Sequence, residues 1–298
     1  MSDEKIYRLL NLVILIMGRL PRCVAEYLAD SLATIWYFVD KRHRRITLDN
    51  LTHAYGHEKT PAQLRRMVRK VFKNLIRMIF EIAWSYSLDM ETLLTHFHFK
   101  GIENVEATQK KGRGIIGITG HMGNFEMLIL AISRIELDEV HGVYRRLDFA
   151  PLERLMLEGR QRFGVKMVPM RGLSKVLEPL LKGGGAMGTL IDQNVDWYKG
   201  VFVDFFGRPA CTNKGLAALA LKTDAVILPL YTVRHNRKFI IEYLPEIPLV
   251  RTGDKIKDIE TNTQNFTAAI EGMVRRAPEQ YFWVHNRWKT KNYCPIPK

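Results

Sequence analysis

Gly114-Ile-Ile-Gly-Ile-Thr-Gly-His-Met-Gly-Asn-Phe-Glu126, followed by Met-Leu-Ile-Leu-Ala-Ile132, is the stretch on which the reading of the whole chain turns. Ile115 to Thr119 is a β-branched run bounded by glycines, the pattern of a buried strand, and Phe125 onward reads as the start of a helix. His121 then lies just past the strand's C-terminal end, where open α/β sheets bind their ligands. His121 and Glu126 are five residues apart, so on one continuous helix they would point about 140° from each other. They can meet only if the helix begins after His121. Gly120 and Gly123 permit that tight entry, and Asn124 suits the cap. A carboxylate on one imidazole nitrogen fixes the tautomer and frees the other nitrogen to take a proton from an alcohol. The expectation is therefore His121 as general base and Glu126 as its orienting acid. Spacing alone serves an ordinary surface or core His-Glu pair just as well. A metalloprotease helix would need two histidines at i and i+4, and this stretch has one.

From about Phe97 the chain alternates short strands with helices, the signature of an α/β domain. Strands are expected at Ile115–Thr119, Val140–Tyr144, 186–191, 225–233 and 239–243. Lys182-Gly-Gly-Gly-Ala-Met-Gly188 lacks the P-loop ending and reads as a helix stop and turn into a strand. If the sheet is parallel there, that strand delivers Asp192 and Gln193 to the edge that carries His121. Asp192 by itself reads equally well as a turn residue. The aromatic run 201–206 is expected mostly in the core, and Thr212 is expected to cap the helix after it.

Toward the N-terminus, the apolar run 9–17 is closed by Arg8 and Arg19 and is shorter than the roughly 20 residues of a bilayer span. The opening Met-Ser-Asp-Glu-Lys is not the basic start of a signal peptide. Pro21 breaks the helix, and residues 24–39 carry Trp36, Tyr37 and Phe38 ahead of Lys41-Arg-His-Arg-Arg45. Residues 1–45 thus read as a monotopic anchor on an anionic leaflet, the alternative being a pair of core helices with a solvated charge run. Thr60-Pro-Ala-Gln63 is a capping box that opens a long amphipathic helix. The expected division is a helical lead-in over 46–96 and an α/β core over 97–298.

The formal net charge of +14 calls for an anionic partner, whether nucleic acid, membrane surface, phosphorylated substrate or acidic carrier protein. A mean hydropathy of −0.13 excludes a polytopic membrane protein. Cys23, Cys211 and Cys294 are far apart and fit neither a disulfide framework nor a zinc spacing, which points to a reducing compartment.

The quoted stretch resembles the His-x-x-x-x-Asp/Glu box of glycerolipid-type acyltransferases. Its Gly-His-Met-Gly-Asn-Phe-Glu form resembles the lipid A biosynthesis late acyltransferases, the lauroyl and myristoyl transferases of the lysophospholipid acyltransferase-like superfamily. Further stretches match that family in order: Val143-Tyr-Arg145, Asp192-Gln193, Gly200-Val-Phe-Val-Asp-Phe-Phe-Gly-Arg-Pro-Ala210 with Thr212, and Pro278-Glu-Gln-Tyr-Phe-Trp-Val-His-Asn-Arg-Trp-Lys289.

The resemblance implies an α/β fold with a mixed, mostly parallel central sheet flanked by helices, and N-terminal membrane-associating helices. It implies acyl transfer from an acyl carrier protein thioester to a hydroxyl of a phosphorylated Kdo-lipid A precursor, with no metal, cofactor or covalent enzyme intermediate. Expected partners are acyl carrier protein, the phosphorylated glycolipid and anionic inner-membrane lipids, with no nucleic acid, at the cytoplasmic face of a bacterial inner membrane. It brings Arg145 and Arg160 to the site, where a guanidinium can clamp phosphate or stabilise an oxyanion. Apart from the resemblance, Arg171 follows the strand-like Val165-Lys-Met-Val168 and is expected as a further phosphate contact. Amides at Gly123 and Asn124 are expected oxyanion donors, and Asp192 and Gln193 are expected to order substrate or neighbouring side chains. Phe125 stands where Trp is frequent, and Arg146 where Pro is usual; both departures bear on the acceptor rather than on the reaction. Two alternatives accompany this reading: an acyltransferase for a lyso-phospholipid or aminolipid, and a basic nucleic-acid-binding protein that uses the aromatic and basic residues of 283–289.

Overall fold

The protein was analysed as a computed structural model, which describes residues 2–132, 139–162, 164–170 and 173–291. Arg171 and Cys294 lie outside the described residues. Four helices lead the chain: α1 (Asp3–Gly18), α2 (Arg22–Val39), α3 (Lys41–Tyr55) and α4 (Pro61–Ser85). Their breaks have local causes. Pro21 precedes α2, the Asp40 carboxylate accepts the His43 N–H at the start of α3, and Thr60 and Gln63 form the expected capping box of α4.

The elements that follow are α5 (Met90–Leu94), β1 (Phe97–Lys100), α6 (Ile102–Gln109), β2 (Ile115–Thr119), α7 (Phe125–Ile132), β3 (Val140–Tyr144), α8 (Ala150–Gln161), β4 (Lys166–Pro169) and α9 (Leu173–Lys182). The chain then continues through β5 (Ala186–Leu190), β6 (Gly200–Phe205), β7 (Arg208–Asn213), α10 (Gly215–Thr223), β8 (Val226–His235), β9 (Lys238–Tyr243) and α11 (Lys255–Arg276).

Seven strands form one sheet in the order β1-β9-β8-β2-β5-β3-β4, parallel at every pairing except β8 with β9. This is the mixed, mostly parallel sheet expected, with the five anticipated strands at its heart. Ile116 and Ile118 point to one face, packed under α9, α10 and α11, while Ile115 points to the other, under α7. Such double burial explains why β2 reads as continuous rather than alternating hydrophobicity.

The run 201–206 forms β6 of a separate antiparallel hairpin with β7; Phe205 and Phe206 are buried, as expected of core aromatics. Thr212 does not cap α10, because it lies within β7, and the first turn there is closed by Asn213 Oδ1, which accepts the Gly215 N–H at 2.7 Å.

The leading helices pack on α4. Ala29 and Ala33 of α2 are fully buried, and small side chains at i and i+4 let that helix approach closely. The opposite face leaves Leu28, Leu32, Ile35 and Phe38 of α2 exposed, and α1 likewise exposes Leu9, Leu12 and Ile16. Among the described residues no helix is long and apolar enough to cross a membrane.

Candidate active site

Because β2, β5, β3 and β8 run parallel, their C-terminal ends share one edge, and His121, Asp192, Arg145 and Arg234 all follow or end those strands. The turn after β2 is clamped by the chain near its end. Gly123 donates its N–H to the Gln280 carbonyl at 2.9 Å, and Phe282 donates to the His121 carbonyl at 3.0 Å. Gly123 adopts φ +59, and a Cβ there would lie 2.2 Å from the Thr232 carbonyl oxygen, so only glycine fits. The turn ends at Asn124, whose Oδ1 accepts the Met127 N–H at 3.4 Å as the cap of α7.

His121 is held from this turn by Asp192, at the end of β5. Asp192 Oδ2 accepts the His121 backbone N–H at 2.8 Å, and Oδ1 lies 2.7 Å from the ring Nδ1. The carboxylate is buried, at 4% exposure, so its negative charge is stable only because it is so fully bonded. Burial pushes the Asp192 carboxyl up, but the His121 charge, the His121 hydrogen bonds and the Tyr281 hydroxyl outweigh it and hold it down to about 2. The same bonds act on His121. Burial opposes its protonation, yet the Asp192 charge and hydrogen bond, with Glu126 adding to them, raise its pKa above the ordinary value. An Nδ1–H donated to Asp192 leaves Nε2 as the free base, and Nε2 faces the exposed Gln193 amide at 3.2 Å. Phe125 and Phe282 wall the ring, at 4.8 and 5.7 Å between centroids.

The expected orienting role of Glu126 is corrected by this geometry. Its carboxylate is taken bidentately by Arg160 of α8, at 2.8 and 2.6 Å, while Asp192 occupies the Nδ1 position. The reason is the helix start: α7 begins at Phe125, which puts Glu126 on the side that faces α8. Arg160 is accordingly engaged with a carboxylate rather than free to clamp a phosphate, though both groups remain at the site's wall.

Two other expected contacts change. The Gly123 amide donates to the Gln280 carbonyl rather than pointing to the open side. The Asn124 side chain is fully buried and turns away, donating to Glu81 at 2.9 Å. Arg145 is exposed just past β3.

The C-terminal stretch supplies what spacing could not. The Asn194 N–H donates to His285 Nε2 at 2.8 Å, and buried Arg287 donates to the carbonyl of Cys211 at 2.9 Å and to the Thr212 hydroxyl. Together they pin the loop after β5 against the β6–β7 hairpin. Burial lowers His285 to about 4, which keeps Nε2 an acceptor. Tyr281 was not anticipated; only its place in the C-terminal signature pointed to it.

With that geometry, comparison with known proteins is specific. The model of the bacterial lipid A biosynthesis acyltransferase family matches residues 3–290. The chain belongs to that family. It is an acyltransferase. The lipid A biosynthesis acyltransferase of Haemophilus influenzae is 28% identical over 84% of this chain and 77% of its own length. The lipid A biosynthesis lauroyltransferase of Escherichia coli is 25% identical over 94% of this chain and 90% of its own. A phosphatidylinositol mannoside acyltransferase of Mycobacterium tuberculosis is 25% identical over 63% of this chain and 58% of its own.

Proposed function

We propose that this lipid A family acyltransferase moves a fatty acyl group from an acyl carrier protein thioester to a hydroxyl of a phosphorylated Kdo-lipid A precursor, with His121 as general base. The observation that carries the proposal is the Asp192–His121 pair, with Nδ1 bonded and Nε2 turned to the open side.

The substrate hydroxyl takes the place of the Gln193 amide at Nε2 and gives up its proton as its oxygen attacks the thioester carbonyl. The imidazolium is stabilised by Asp192 in contact and by Glu126 nearby, the latter held by Arg160. The tetrahedral oxyanion collapses with cleavage of the carbon–sulfur bond, and the thiolate takes the proton back from Nε2. Ester and free thiol are formed and the enzyme returns to its starting state.

An apolar crevice of about 40 Å³ lies beneath Phe125, lined by Gly117, Gly188 and Gly142, which are register neighbours on β2, β5 and β3. Three adjacent glycines, flanked by Leu230 and Met167, leave a narrow apolar niche there that suits the first carbons of an acyl chain. The exposed apolar faces of α1 and α2, followed in the chain by the basic run Lys41-Arg-His-Arg-Arg45, suit a monotopic seat on the anionic cytoplasmic face of the inner membrane.

The test is transfer from acyl carrier protein thioesters to Kdo-lipid A precursor and to lyso-phospholipid in detergent, comparing wild type with His121→Ala and Asp192→Asn. Product with the first acceptor and its loss in both folded variants supports the reading. Transfer to the lyso-phospholipid alone would move the acceptor to another lipid, a direction the mannoside acyltransferase relative favours; full activity of His121→Ala would sink the mechanism.

A further inference from the structure

A cavity of about 670 Å³ opens between the first two helices, α4 and the β8–β9 turn, a volume typical of small-ligand sites. It lies at the sheet edge that carries His121, since β8 runs parallel to β2 and brings Arg234 there. Gln280 lines it and also accepts the Gly123 N–H, so one hydrogen bond separates the cavity from the catalytic turn.

Its lining is of two kinds. Met17, Leu20, Ala25, Ala29, Phe80 and Trp84 are apolar. Arg22, Lys70, Lys73, Arg77, Arg234 and Arg237 are cationic. Four carboxylates answer these six cations. Asp30 takes both Lys73 and Arg77, at 3.0 and 2.8 Å; Glu81 takes Arg234, Glu26 takes Arg237 at 2.7 Å, and Glu279 lies 3.5 Å from Lys70. Two positive charges are left over.

Arg22 has no ion pair among the described residues. Its guanidinium lies 4.7 Å over the Trp84 ring and donates to the Arg237 carbonyl at 2.9 Å. Glu81 and Glu26 attract it from a distance, both already paired with other arginines. A cation drawn partly out of water with no counter-ion in contact is costly, and an anion in the cavity would offset that cost. A phosphate monoester carries about −1.5 to −2 charge near neutral pH, which matches the excess; a phosphodiester does not.

We infer that this cavity binds a phosphate monoester carried on a lipid, with Arg22 as its main contact and the Lys73–Arg77 pair, which shares one carboxylate, supplying the second spare charge. The planar fork of Arg22 suits two phosphate oxygens, and the apolar lining receives the part of the lipid next to the phosphate. The inference deepens the proposed function, because it assigns the acceptor's phosphate a seat beside the base, and so it rests on that reading for its catalytic meaning only.

The experiment reads binding without catalysis. Intrinsic tryptophan fluorescence, to which Trp84 in the cavity contributes, is followed as dihexanoyl phosphatidic acid, a phosphomonoester, or dihexanoyl phosphatidylglycerol, a phosphodiester, is added in detergent to wild type, Arg22→Gln/Lys73→Gln and Arg22→Lys. Holo acyl carrier protein, with its phosphodiester-linked arm, is the third ligand. The expected result is preference for the monoester, weakening of that binding by about tenfold or more in the double variant, and partial retention in Arg22→Lys. Equal affinity for monoester and diester, or unchanged binding in a double variant that melts as wild type does, overturns the site. An effect on carrier protein alone also overturns it, because the phosphate would then be the donor's. A protein that binds the monoester in this way but transfers no acyl group would refute the proposed function and leave the cavity assignment standing.

Discussion

Asp192 holds His121 through both of its oxygens, Oδ2 on the backbone N–H at 2.8 Å and Oδ1 on the ring nitrogen at 2.7 Å. One buried carboxylate thus sets the turn after β2, the ring orientation and the tautomer together.

Replacing it should therefore be severe out of proportion to the volume changed. Asp192→Asn keeps the shape but removes the charge that stabilises the imidazolium, and its amide can turn a donor toward Nδ1. A fall in kcat of about 10²–10⁴-fold is expected, with KM for the acceptor little altered. Steady-state kinetics on the folded variant check this, and a KM-only effect would assign Asp192 to substrate binding.

The pH dependence follows from the raised pKa of His121. The base works only when neutral, so kcat/KM should rise with pH and level off through an inflection above the ordinary 6.5. In Asp192→Asn the attraction is gone and burial, which favours the neutral ring, remains. The inflection of the residual activity should move to lower pH. An acid limb that stays in place in the variant would mean that another group controls it.

Glu126 and Arg160 form a nearly buried bidentate pair that joins α7 to α8. Removing either partner alone leaves a charge without its counter-ion, at a cost of roughly 3–5 kcal/mol. Glu126→Gln and Arg160→Met should each lower the melting temperature, and the double variant should recover part of the loss. Denaturant titration of the four proteins gives the coupling; additive losses would show that the pair is not a unit.

Gly123→Ala combines a strained φ with a Cβ placed 2.2 Å from the Thr232 carbonyl oxygen. The backbone conformation alone costs roughly 1–3 kcal/mol. The turn must shift to relieve the contact, and it carries His121, so activity should fall further than stability. Comparing residual kcat with the unfolding midpoint tests this; loss of stability with normal kcat would show that the turn tolerates displacement.

The strands and the candidate base His121 were legible because they depend on local pattern. β2 is a β-branched run between glycines, α4 announces its start through Thr60 and Gln63, and His121 follows a strand by simple count. The edge strands β1 and β4 and the β6–β7 hairpin were less so. β1 and β4 are only four residues each, too short for alternation to emerge, and the hairpin's aromatic content reads as core in either geometry.

What the sequence alone determined is the class of fold and the family, and it pointed to the proposed base, since periodicity, glycine-permitted turns and several motifs in register are properties of neighbours along the chain. Which carboxylate serves His121 was decided only by tertiary structure. Glu126 is five residues away and Asp192 is 71, yet parallel pairing of β2 with β5 brings Asp192 to the ring, while the helix start turns Glu126 to Arg160. Sequence separation measures chain length, and a parallel sheet cancels it by placing strand ends side by side.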